Sequence, residues 1–219
     1  MADYASFLAL GLDDGGEPLT GVSRSEVAWL LAAVPHFRVR RTLEVGFGLG
    51  FSAAALLHAG VRDHTTIEIA PERLPLAEAN ARKAIQPGQR LRILLGPSPV
   101  RLAQLQETRE EVDLMLVDGG HRFDDAFVDA HFARSLVRPG GLLVLDDMQM
   151  NAIQTVQSWI ETNLPHVWQP HAPPVGFSRN HDFGFAVYQR TDDPDGDQKP
   201  DGSRPWDRHR RFETFEDEN

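Results

Sequence analysis

Short apolar runs alternate with longer, helically periodic segments along most of the chain. Leu43 and Val45, residues 65–69, Leu91 to Leu95, Val112 to Val117 and Leu142 to Leu145 supply the runs, which have strand length and strand composition. Between them, Glu26 to Val34, Phe51 to Ala59, residues 71–83, Val100 to Glu110, Phe123 to Val137 and Ala152 to Leu164 read as helices. In the helix from Phe123, the residues Phe123, Phe127, Ala130, Ala133 and Val137 fall roughly on one face. In the next helix, Ile153, Val156, Ile160 and Leu164 recur at three and four. Pro35 stops the first of these helices, Gly60 the second and residues 139–141 (PGG) the fifth. Ser23, with Glu26 three residues on, forms a capping box at the first helix start. Ahead of it, Tyr4, Phe7, Leu8 and Leu10 make an amphipathic turn or two, followed by a loop from Gly11 to Pro18. Residues 166–168 and 183–188 are the last two strands. Strands separated by helices predict an α/β fold with a mostly parallel, doubly wound sheet.

Composition narrows this to one domain. The 219 residues suffice for a single filled core, residues 1–190, with 1–38 as its leading helical segment. From Thr191 to Asn219 the chain carries ten acids against five Lys or Arg, with Trp206, Phe212 and Phe215 isolated, which predicts an acidic, solvated and disordered tail. No apolar stretch approaches the roughly 20 residues that span a bilayer, and the first residues lack the pattern of a signal peptide. The expectation is a cytoplasmic protein with no membrane contact. Cysteine is absent, so thiolate metal sites and cysteine nucleophiles are excluded. A net charge of −10 argues against nucleic acid as a partner, half of that charge lying in the tail.

The most informative stretch is residues 41–52, RTLEVGFGLGFS. A strand runs into three alternate glycines, Gly46, Gly48 and Gly50, and then into a helix. Glycines at such a junction permit a sharp turn and let a ligand lie on bare main chain, facing the N–H groups of the helix start. Glu68 closes the second strand, where an acid can accept hydrogen bonds from ribose hydroxyls. A nicotinamide site prefers the spacing GxGxxG, which this chain lacks.

Two carboxylate motifs complete the picture. Asp118 ends the fourth strand in DGGH, followed by His121, and Asp146 and Asp147 end the fifth. Ligands of open α/β sheets lie beyond the carboxyl ends of strands, so Asp118, Asp146 and Asp147 can converge there. Converging carboxylates repel, and a hard divalent cation such as Mg²⁺ relieves that repulsion. The aspartates have a plainer reading as caps of the helices that follow them. The loop between the last two strands carries His171, Arg179 and His181 as substrate contacts or as an ordinary excursion.

The segment EVGFGLG at 44–50 resembles the first motif of class I S-adenosylmethionine (SAM)-dependent methyltransferases. The pattern DGGHRF at 118–123, with RPGG at 138–141 and Asp146-Asp147, resembles the metal-dependent, macrocin O-methyltransferase-like small-molecule enzymes. The resemblance covers about residues 40–165. It implies a Rossmann-like sheet of seven strands with an antiparallel edge strand. It implies SAM held by Glu44, Gly46, Gly48, Gly50, Ser52, Glu68, Ile69, Pro97, Ser98 and Asp118, with Ser98 where an acid is common. It further implies Mg²⁺ on Asp118, Asp146 and Asp147, His121 as general base, and a small hydroxylated acceptor such as a sugar or natural-product intermediate. A homodimer is common in this class. Catechol-type members end the fifth strand in Asp-Asn and use a lysine base, neither of which this chain has. Two alternatives stay open: a metal-independent methyltransferase using His121 on an oxygen or nitrogen acceptor, and a SAM-binding protein without catalysis.

Overall fold

The computed structural model describes residues 2–16, 22–171 and 184–191. Seven strands form one sheet: β1 (Arg41–Val45), β2 (Asp63–Glu68), β3 (Arg90–Leu95), β4 (Val112–Val117), β5 (Val137–Leu145), β6 (Trp168–Pro170) and β7 (Ala186–Arg190). Their order is β3-β2-β1-β4-β5-β7-β6. The first five are parallel, while β7 runs antiparallel to both β5 and β6. The mostly parallel sheet with an antiparallel edge is thus as the sequence predicts.

Seven helices accompany the strands among the described residues: α1 (Tyr4–Leu8), α2 (Arg24–His36), α3 (Phe51–His58), α4 (Leu74–Ala84), α5 (Ser98–Glu107), α6 (Phe123–Leu136) and α7 (Asn151–Asn163). Side-chain alternation along the strands divides the core. Leu114, Leu116, Leu142 and Val144 pack on the face covered by α2, α3 and α4, with Trp29, Phe47 and Leu56. Leu43, Val45, Met115, Val117, Leu143 and Leu145 pack on the other face against α5, α6 and α7. Both faces are apolar because parallel strands are sandwiched between helices.

Several boundaries differ from the sequence expectation for identifiable reasons. α2 runs past Pro35 to His36. A proline in the last turn forfeits little, since few ladder bonds remain to be broken there. β5 starts at Val137 instead of Leu142, and residues 138–141 form a register shift against β4 rather than a plain stop. Gly141 is needed there because an added Cβ would press on the Asp113 carbonyl at 2.8 Å. The segment expected as one helix from Pro71 is a 3-10 turn, Pro71–Arg73, leading into α4. Tail residues from Asp192 on, with Trp206, Phe212 and Phe215, and the loop residues Arg179, His181 and Phe183 lie outside the described residues.

The capping box at Ser23 and Glu26 forms as the sequence implies. Another polar staple was not foreseen. Asn80 of α4 is fully buried. Its amide donates to the carbonyls of Asp13 (2.7 Å) and Leu49 (2.9 Å), and its oxygen accepts from the Asp13 N–H at 2.8 Å. One side chain thereby ties the N-terminal segment and the loop after β1 to α4. Asn80→Ala leaves three backbone groups without partners and is expected to lower unfolding free energy by roughly 2–4 kcal/mol. Urea denaturation followed by circular dichroism measures this, and an unchanged midpoint would contradict it.

Candidate active site

All three glycines of the loop after β1 have left-handed backbone, with φ of 92°, 52° and 76° for Gly46, Gly48 and Gly50. They serve different ends. A Cβ on Gly46 would overlap the Asp118 carbonyl, and one on Gly50 would overlap the carbonyl of Ala77. These two let the loop touch the end of β4 and the side of α4. A Cβ on Gly48 would meet nothing within 4 Å, so this glycine faces open space. Gly50 is also the N-cap of α3 and supplies no side-chain cap bond, which leaves first-turn N–H groups available to an anion.

Glu68, at the end of β2, organises this loop. One carboxylate oxygen accepts the N–H groups of Phe47 (3.0 Å) and Gly48 (3.1 Å). The other accepts those of Ile69 and Ala70, both at 2.7 Å. A carboxylate offers about four lone-pair directions, so a ribose hydroxyl reaching Glu68 shares oxygens already in use. Ile69 follows it and is 69% exposed.

The resemblance implies that Glu44 and Ser52 serve the cofactor, and the structure buries both beneath the loop. Glu44 is completely buried; its carboxylate accepts the Ser52 hydroxyl and meets His64 Nε2 at 3.2 Å. The other His64 nitrogen lies 2.8 Å from the Thr42 hydroxyl. Thr42, His64, Glu44 and Ser52 form a buried polar chain joining β1, β2 and the first turn of α3. The support they give to the loop is therefore indirect. Pro97 and Ser98 follow β3, Pro97 exposed and Ser98 half-buried as the first residue of α5.

The ends of β4 and β5 carry the charged centre. Asp118, His121 and Asp147 each offer one ligand atom, all within 4.8 Å of one another. His121 Nε2 is 2.7 Å from a carboxylate oxygen of Asp147. Asp147 itself has φ of 57°, uncommon for a residue with a side chain and worth about 1–2 kcal/mol. Its second oxygen accepts the Gln149 amide at 2.6 Å. The plainer reading of these aspartates as helix caps does not hold. Arg122 and Met150 are the N-caps of α6 and α7, and neither helix has a side-chain cap bond.

Asp146 is turned elsewhere. One of its oxygens accepts the Asp147 N–H at 2.6 Å. The carboxyl meets Glu26, reaching in from the first turn of α2, and a Cβ on Gly184 would collide with both. Sequence reasoning gave Glu26 only its capping role, and nothing in its spacing signals an approach to the end of β5. Burial pushes the Asp146 carboxyl up to about 8, with the Glu26 charge adding to the effect. Burial likewise raises Asp118 well above the carboxylate range, helped by Asp146, Glu44, Asp147 and Glu26. Proton uptake or a cation relieves this crowding.

Comparison with known proteins now bears on this arrangement. Residues 43–148 match a family profile described as a methyltransferase domain. That stretch of the chain is therefore similar to methyltransferase domains. The sheet and helices of the chain are those of the class I fold. Among solved structures, the cofactor-bound Rv0187 from MTB is 24% identical over 85% of this chain and 88% of that one, with a TM-score of 0.65. The Bacillus cereus O-methyltransferase in complex with SAH is 18% identical over 86% and 90%, at 0.61. TomG, the Streptomyces achromogenes O-methyltransferase involved in tomaymycin synthesis, is 19% identical over 87% and 91%, at 0.60. These likenesses are likenesses of fold. No curated protein gives a significant match to the chain. Among the described residues, no helix is long and apolar enough to cross a membrane.

Two outcomes follow from the geometry. Gly50→Ala combines a left-handed backbone with overlap on Ala77 and is expected to cost roughly 2–4 kcal/mol. Gly48→Ala carries the backbone strain alone, about 1 kcal/mol or slightly more, and should instead weaken cofactor binding. Thermal melts and cofactor titration of the two variants separate these effects, and equal stability losses would refute the distinction. The second outcome concerns pH. Asp118 and Asp146 have raised folded-state pKa values, so the folded protein binds protons that the unfolded chain releases. Their protonated forms favour folding at neutral pH, and stability falls as pH rises through about 8 for Asp146. In chelator, the Asp146 contribution is expected to lower unfolding free energy by about 1.3 kcal/mol per pH unit between pH 5 and 7, where only the folded state holds the proton, and to level off above about pH 8. Asp146→Asn should flatten that slope, and an unchanged slope in the variant would count against the assignment.

Proposed function

We propose that this protein is a SAM-dependent methyltransferase that acts on a hydroxyl oxygen of a small molecule, a sugar or natural-product intermediate, in the cytoplasm. The observation carrying the proposal is the meeting of Asp118, His121 and Asp147 beyond the ends of β4 and β5, beside the glycine loop. Gly46, Gly48 and Gly50 would hold SAM, with Glu68 toward its ribose, Ile69 and the Pro97–Ser98 turn toward its adenine, and Asp118 toward its reactive end. O-methyltransferases recur among the structural neighbours, and one of them, TomG, is involved in tomaymycin synthesis. Those descriptions support an oxygen acceptor and a natural-product setting.

His121 has the arrangement that a general base needs. With Nε2–H donating to Asp147, the neutral imidazole carries its lone pair on Nδ1. Nδ1 takes the acceptor's hydroxyl proton as the oxygen attacks the methyl carbon. The carbon–sulfur bond breaks with its electron pair going to sulfur, and the products are the methyl ether and S-adenosylhomocysteine (SAH). Asp147 compensates the imidazolium that forms. Such proton transfer is worth roughly 10²–10⁴ in rate.

The donor set also fits a divalent cation. Asp118 and Asp147 offer hard oxygen ligands whose crowding a positive charge would relieve. Asp146 could add a third oxygen once its carboxyl leaves Glu26. Bound there, Mg²⁺ supplies Lewis acidity toward the acceptor hydroxyl. The His121–Asp147 pair favours a second reading, in which that dyad suffices without metal.

Calorimetric titration of Mg²⁺ into the SAH-saturated protein distinguishes the two. Stoichiometric binding that Asp147→Asn abolishes, with turnover of vicinal diols lost in chelator, supports the metal-dependent enzyme. Full activity in chelator establishes the dyad alone. In either case His121→Ala is expected to reduce kcat by about 10²–10⁴ while SAH affinity holds, and unchanged kcat would remove His121 from the reaction.

A further inference from the structure

Asp129 has no place in the chemistry above. It lies on α6 facing inward, 1% exposed, and neither carboxylate oxygen has a fully formed hydrogen bond. A buried carboxyl left so poorly partnered is unusual in a native core. Two neighbours face it. The Ser98 hydroxyl, on the first residue of α5, favours its ionised form without reaching full hydrogen-bond geometry. Gly119, in the loop after β4, lies against the other side, where an added Cβ would sit 3.6 Å from Asp129 Oδ2. The only other charge acting on it among the described residues is Asp125, one turn earlier on α6. Asp129 thus sits between the start of α5 and the loop after β4, which the placement proposed above sets at the adenine end of the cofactor. Ser98 itself is half-buried.

We infer that Asp129 is a positioning residue that turns Ser98 into a hydrogen-bond acceptor for the 6-amino group of adenine. This inference rests on the cofactor placement proposed above. A carboxylate only accepts, whereas a serine hydroxyl has one proton and two lone pairs. If Ser98 donates its single proton backward to Asp129, only lone pairs face the pocket. Those lone pairs suit an amino group and oppose a carbonyl oxygen at the same ring position. The pair Asp129–Ser98 then does in two steps what a single acid at position 98 would do directly. Burial pushes the Asp129 carboxyl up to about 6, against the pull of Ser98. It is therefore mostly ionised at pH 8, the form the arrangement requires. Asp129→Asn reverses the polarity: its amide can donate to Ser98, freeing the serine proton to point outward.

Competitive calorimetry of SAH against S-inosylhomocysteine, in which a carbonyl replaces the 6-amino group, tests this at pH 8. The wild-type protein is expected to prefer SAH by roughly 30-fold or more, in the range of a polar mismatch at a buried site. In Asp129→Asn the preference should fall at least about tenfold, mainly through tighter inosyl binding. Ser98→Ala should lose the preference similarly, and adding Asp129→Asn to it should change nothing further. Should Asp129→Asn fail to fold, Ser98→Ala and the intermediate Ser98→Asp, which restores an acid and should recover adenine preference, carry the test. Equal weakening of both ligands by Asp129→Asn, or an unaltered preference in Ser98→Ala, overturns the inference while leaving the cofactor site intact. Failure of the wild-type protein to bind SAH would overturn the cofactor reading and this inference with it.

Discussion

Four backbone N–H groups converge on one carboxylate, that of Glu68, and the geometry of the site depends on it. Two belong to the loop after β1 and two to the turn after β2. Hydrogen bonds to a charged acceptor are among the stronger ones in proteins. Here they hold a loop whose glycines would otherwise have the widest conformational freedom of any residue. With that loop fixed, Gly46 can rest on Asp118 and Gly50 on Ala77, and the end of β4 is locked to the end of β1. The position of Asp118, and through it that of His121 and Asp147, is thus set partly by an acid two strands away.

A second layer supports the first. The buried chain Thr42–His64–Glu44–Ser52 runs through the sheet beneath the glycine loop. Burying a glutamate is costly unless its oxygens are satisfied, and Ser52 and His64 satisfy them here. Because Ser52 lies in the first turn of α3, the network fixes the helix start against the strand before it. Glu44 thus bears on the site through the loop above it. The motif resemblance places it among the cofactor residues, and a motif reports that a residue belongs to a site without saying on which side of the main chain it works.

The fold was legible because strand composition and glycine punctuation are local signals. Every strand except β5 lies close to its expected place, and β5 begins at Val137 because the register shift at residues 138–141 extends its pairing with β4. Proline and glycine misled only where context overrides them, at Pro35 inside a final helical turn and at residues 138–141 inside a bulged strand. The site was legible to the extent that chemistry sat at strand ends. Asp118, His121 and Asp147 meet as their positions suggest. The turn of Asp146 toward Glu26 was not legible, because it depends on α2 crossing the sheet at a distance of more than a hundred residues in sequence. Asp129 was silent for the same reason: an aspartate on a helix reads as exposed until α5 is packed against α6.

Unfavourable features gather along one edge of the molecule. Asp147 holds a left-handed backbone, Asp118 and Asp146 are buried beside other acids, and Asp129 is buried with its oxygens poorly partnered. An apolar residue at most of these positions would pack without a desolvation penalty. The penalty is bearable because the remainder of the sheet is apolar on both faces and consistent from strand to strand. A site assembled this way is electrostatically unfinished. It has excess negative charge at the ends of β4 and β5, a histidine ring paired with one of those acids, and a buried carboxyl with unfilled acceptors on α6. Each deficit is the complement of a group in the proposed reaction, so binding of cofactor and cation would stabilise the fold as it completes the site.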